Sequence, residues 1–136
     1  MTSQELKETY QLNFTNSIID LKGFPSEILN RPYTFNNSLS DFLFEWSRPR
    51  ILTSELLPEF ENVLNGNNES FYTNGQFVSI DSTNSTTEIH DEEAATNPVA
   101  TLPTQDFYDI LVLWRDFLLE PPLNGTKVDE NGSPRS

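Results

Sequence analysis

Pro103-Thr104 opens and Pro121-Pro122 closes a segment whose apolar residues leave it little choice of surroundings. Phe107, Ile110, Leu111, Trp114, Phe117 and Leu118 recur at the helical period and form one continuous stripe. Val112, Leu113 and Leu119 widen that stripe beyond what one neighbour can cover. Asp106, in the first turn, meets the positive end of the helix dipole. Residues 104–120 are therefore a helix buried against more than one element, and the rest of the chain must supply those elements.

The 136 residues make one domain, and the 35% that are apolar suffice for a modest single core. Met1–Glu8 is polar and either frays or forms a short helical turn. Tyr10, Leu12 and Phe14 alternate with Gln11 and Asn13, the period of a half-buried strand at about 10–15. Gly23, Pro25 and Pro32 read as loop to about residue 37. Ser38 with Asp41 resembles a capping box. Leu39, Phe42, Leu43 and Trp46 then lie on one face of a helix over 38–47, stopped by Pro49. A second helix over 54–65 admits Pro58 in its first turn and Gly66 as its cap.

Asn74-Gly75, between Phe71-Tyr72-Thr73 and Gln76-Phe77-Val78, is the strongest hairpin signal, because both central residues of a type I′ turn need φ > 0. It pairs Thr73 with Gln76 and Phe71 with Val78. A turn at Ser82–Ser85 returns Thr86–His90 with Ile89 opposite Val78. Phe71, Val78, Ile80 and Ile89 then share a buried face. Tyr72, Phe77, Ser79 and Asp81 share the other, which either lies beneath a helix or presents aromatics beside acids, as interface cores do. The acidic, Ala-rich and Asn97-Pro98 stretch from Asp91 to Thr101 reads as a long loop.

The expected fold is α+β over residues 1–123. A small antiparallel sheet, made of a three-strand meander at about 69–90 and the N-terminal strand, is packed by helices at about 38–47, 54–65 and 104–120. Residues 124–136 are expected to form a disordered polar tail.

Eight Lys and Arg against 21 Asp and Glu give a formal charge of −13. That balance argues against nucleic-acid binding, which needs cations to displace counterions. No apolar run approaches the length of a membrane span, and no export signal accompanies the six Asn-x-Ser/Thr triplets, so a cytoplasmic address is expected. The absence of cysteine excludes disulfides and thiolate chemistry. No Lys or Arg occurs between Arg50 and Arg115, while that stretch holds Glu55, Glu59, Glu61, Glu69, Asp81, Glu88, Asp91, Glu92 and Glu93. Such acidity either serves solubility through self-repulsion or matches a partner with a positive surface.

His90 is the only histidine, so no multi-histidine metal site exists. Glu88 and His90 share a strand face and could form an acid–base pair, but a solvated strand end is the commoner meaning of such a run. There is no Gly-rich phosphate loop, nucleophile elbow or calcium loop. The expectation is a non-enzymatic chain without cofactor or metal.

The Gly75–Ile80 strand, the Thr86–Glu92 strand with its acidic end, and Leu102-Pro103-Thr104-Gln105-Asp106-Phe107 leading to Trp114, Phe117 and Leu118 together resemble small bacterial immunity proteins. These are the antidotes of polymorphic toxins, including those of contact-dependent growth inhibition. The resemblance implies the role of an antidote and no particular toxin; taken with the acidic charge, the expectation is a monomer that binds a cognate basic toxin domain, foremost a nuclease, and blocks substrate access. The expected contact residues are Asp81, Glu88, Asp91, Glu92 and Glu93, with Glu69, Tyr72 and Phe77. The rival reading is a structural or adaptor module of a mobile element, with acidity serving only solubility.

Overall fold

The computed structural model describes residues 1–19, 23, 27–91, 97–120 and 126–128. The helix expected at the C-terminal end is α5 (Thr104–Leu119), and it is enclosed on several sides. Phe107, Ile110, Leu111 and Trp114 are completely buried. The Phe107 ring centroid lies 5.7 Å from that of Phe42 and 5.2 Å from that of Phe60. Trp114 meets Phe14 edge-on at 5.0 Å and stacks on Phe117 at 5.9 Å. Its indole N–H donates to the Trp46 carbonyl at 3.0 Å, which removes the one polar cost of burying the ring.

The N-terminal residues form α1 (Ser3–Thr9), started by a capping box: the Thr2 hydroxyl accepts from the Glu5 N–H and Glu5 accepts from the Thr2 N–H. Those bonds favour the charged carboxylate and hold Glu5 below its usual range. Beyond this helix, the buried Tyr10 hydroxyl donates to Asp106 in the first turn of α5. Burial, the bond and the carboxylate charge all disfavour the phenolate and push Tyr10 well above the ordinary phenol value. Because the folded value is raised, the stability it contributes is intact below pH about 10, the unfolded value, and is lost as pH climbs toward the folded one. Thermal midpoints measured from pH 8 to 11 should therefore fall at the alkaline end for the native chain. Tyr10→Phe should flatten that fall, and identical profiles would remove the bond from the account.

α2 (Asn37–Glu45) begins one residue earlier than the sequence indicates, and its cap is Asn36, not Ser38. The Asn36 side chain accepts from the Ser38 and Leu39 N–H groups at 2.9 and 3.1 Å, leaving Ser38 inside the helix and buried. The second expected helix starts earlier and is compound: α3 (Pro49–Ile51), a π-helical turn (Leu52–Leu56) and α4 (Leu57–Leu64) follow without a break. In a regular α-helix the Pro58 ring would press on the carbonyl four residues back. The widened turn, in which the Leu57 N–H reaches the Leu52 carbonyl, accommodates it. The extra residue also rotates the phase so that Leu52, Leu56, Leu57, Phe60 and Val63 are all buried.

The strands form two sheets. β3 (Ser70–Asn74), β4 (Val78–Thr83), β5 (Thr86–Asp91) and β6 (Ala100–Pro103) make an antiparallel sheet in chain order. The meander is present, but both registers differ from expectation. Asn74 pairs with Ser79 and the Gly75 N–H donates to the Val78 carbonyl, so the turn falls on Gln76-Phe77. Gly75 has no positive φ. It serves close approach instead, because a Cβ there would lie 1.7 Å from Glu45 Oε2. In the second turn Ile89 faces Ile80, and Val78 faces Asp91. Both slips are even-numbered, so side chains keep their faces, and Val78, Ile80, Ile89 and Leu102 point into the core beneath the helices. β6 is a fourth strand that begins in the last two residues of what the sequence marks as loop and runs to the start of α5.

The N-terminal strand, β1 (Asn13–Ile19), does not join the meander. It pairs antiparallel with β2 (Glu27–Tyr33), which the sequence assigns to loop, and parallel with β7 (Thr126–Val128), which it assigns to the polar tail. Pro32 misleads there: proline is tolerated on an edge strand, and β2 is an edge. From β4 through β5 to the first residue of α5 runs a chain of buried hydroxyls. Ser82 and Thr87 lie 2.8 Å apart, Thr87 and Thr104 2.9 Å apart, and Thr104 donates to the Thr83 carbonyl at 2.6 Å.

Candidate protein-binding face

With the buried side chains of β3–β6 directed at the helices, alternation sends the others outward. One cross-strand row on that outer face runs Tyr72, Asp81, Glu88, Thr101, spanning roughly 14 Å across four strands at ~4.8 Å per strand. Tyr72 is 60% exposed, Asp81 and Thr101 are exposed and Glu88 is half-buried. No described element covers this row, whereas Ser79, farther along the same face opposite His90, is buried. Asp81 and Glu88 sit directly opposite each other, an arrangement of like charges that disfavours the sheet by a few tenths of a kcal/mol or more. Among the described residues the one charged contact on the row is His90 Nε2 at 4.0 Å from Glu88 Oε1, and no Lys or Arg lies on these strands.

Other expected contact residues do not join the row. Asp91 faces Val78 and so lies on the opposite side of β5 from Glu88; a strand that ends with an odd step past Glu88 cannot present both together. Phe77 stands in the turn and not on the strand face, half exposed beside Phe44. Glu69 precedes β3 at the end where Ser70 pairs with Thr83, far from Phe77 along the strand. Glu92 and Glu93 lie outside the described residues. The surface that the sequence missed is the outer side of α2, where Asp41, Phe44 and Glu45 are exposed. The available signal was Phe44 itself, an aromatic lying off the Leu39, Phe42, Leu43, Trp46 stripe.

Among the described residues no cluster of three His, Asp or Glu could hold a metal ion, and no helix is long and apolar enough to cross a membrane. No protein-family model, curated protein or solved structure matches the chain. The arrangement offers shape, aromatic area and negative charge. His90 and Glu88, the acid–base pair that the sequence offers, stand 4.0 Å apart, beyond hydrogen-bond reach.

Proposed function

We propose that this chain is an antidote that binds a cognate basic toxin domain, a nuclease, and denies it substrate by laying the outer face of β3–β6 over the toxin's cationic cleft. The observation that carries this reading is the uncovered Tyr72–Asp81–Glu88 row, which sets two facing carboxylates beside an exposed aromatic with no Lys or Arg on the strands. A sheet gains nothing in stability from that pairing, whereas a cationic partner turns the repulsion into attraction and speeds encounter. Tyr72 supplies an anchor of the kind that dominates interface energies. The action is inside the producing cell and needs no catalysis by the antidote.

The test co-expresses the chain with the toxic C-terminal domain encoded beside its gene. The native chain should restore growth, and its association rate with the toxin should fall steeply with salt. Asp81→Lys combined with Glu88→Lys should weaken binding about tenfold or more and reduce protection, with the thermal midpoint no lower than that of the native chain. Full protection by the double variant, or none by the native chain, would overturn the proposal; the second outcome is what an adaptor module predicts.

A further inference from the structure

We infer that the groove along the outer side of α2 receives one arginine side chain of that basic partner, an inference that rests on the function proposed above. Two adjoining cavities of about 380 and 460 Å³ share Asp41 and Phe44 as lining residues. Tyr33 borders the first and Phe77 the second, and these two rings and Phe44 are each about half exposed, at 48%, 50% and 51%. Rings on a groove wall offer open π-faces that a core would have buried.

The charge of the groove selects its occupant. Asp41 and Glu45 are one helical turn apart on the same side of α2, a like-charge spacing that weakens a helix. Neither makes an ion pair among the described residues. Glu45 is held in place: its Oε1 accepts the Gln76 N–H at 3.0 Å, and its Oε2 occupies the space that a side chain at Gly75 would need. A carboxylate fixed in this way beside Phe77 is ready for a cation before the cation arrives. Paired carboxylates among aromatic faces suit a guanidinium, which is planar, weakly hydrated, stacks on rings and donates in a fork. A lysine ammonium would keep more of its water and lose the stacking. Arg31 lines the other cavity and repels a second cation, so the groove takes one arginine and not a basic run. A second copy of the chain is disfavoured because each copy carries a charge of −13.

The groove can be tested apart from the toxin. Titrating the labelled chain with N-acetyl-arginine amide should shift the Gln76 and Phe44 amide resonances, with several-fold weaker effects from N-acetyl-lysine amide and none from the norleucine analogue. Asp41→Asn with Glu45→Gln keeps the Gln76 bond but removes the charge, and should abolish the shifts. Asp81→Lys with Glu88→Lys should leave them unchanged. Against the toxin, the α2 variant should weaken binding about tenfold. Equal responses to arginine and lysine, shifts that survive in the α2 variant, or self-association lost in Phe44→Ala would each overturn the inference. Failure of the toxin arm for the sheet variant alone would instead count against the proposed function.

Discussion

Trp114→Ala is expected to lose about 3–5 kcal/mol of stability, a large part of what a chain of this size possesses. The indole is completely enclosed and touches three parts of the fold: Phe14 of β1, Phe117 of its own helix, and the Trp46 carbonyl beyond the end of α2. Removing it opens a cavity and leaves that carbonyl without its donor. Trp114→Phe separates the two effects, since it keeps an aromatic ring between Phe14 and Phe117 and loses only the hydrogen bond and part of the volume. Urea unfolding followed by far-ultraviolet circular dichroism gives both values, with unchanged denaturant slope showing that folded-state stability moved. An alanine variant within about 1 kcal/mol of the native chain would mean that Phe14, Phe117 and the Trp46 carbonyl do not enclose the indole.

The second large effect concerns the buried hydroxyls. Each Ser or Thr has one proton to give, so the direction of the chain is fixed from its far end. Thr104 donates to the Thr83 carbonyl; Thr87 must then donate to Thr104, and Ser82 to Thr87. Thr87→Val keeps the shape of the side chain but removes the middle link, leaving the Ser82 proton without an acceptor in a completely buried site. The expected loss is about 2–3 kcal/mol, near the upper end for stranding a buried polar group. Adding Ser82→Ala should recover part of it, because the orphaned donor disappears. A double-mutant cycle reads this directly; strictly additive losses would show that water or another partner satisfies Ser82.

The sequence makes the helices and the α+β class legible because the period of apolar residues is a local property: α5 is found within a residue of its expected bounds. Pairing is not local, and the differences lie there. β2 and β6 escape notice since Pro32 and Asn97-Pro98 read as breakers, and only sheet position shows that an edge tolerates the first and that a strand begins just beyond the second. The Asn74-Gly75 signal loses to tertiary context, because Glu45 on α2 captures the Gln76 N–H and occupies the space over Gly75. For the outer face of the sheet, the alternation of Ile80 and Ser82 with Asp81, and of Thr87 and Ile89 with Glu88, makes those two carboxylates readable in advance. Asp91 fails for the same reason, being three steps from Glu88. The α2 groove is hidden from sequence because its walls come from β2, a helix and a turn that meet only in three dimensions.

The outward row on β3–β5 is built on exposed or half-buried positions, while their immediate neighbours in sequence, Ile80 and Ile89, are wholly enclosed. Scaffold and outer surface are thus written on alternate letters of these strands. Substitutions at residues 72, 81 and 88 can change the chemistry of that surface at little thermodynamic cost to the scaffold.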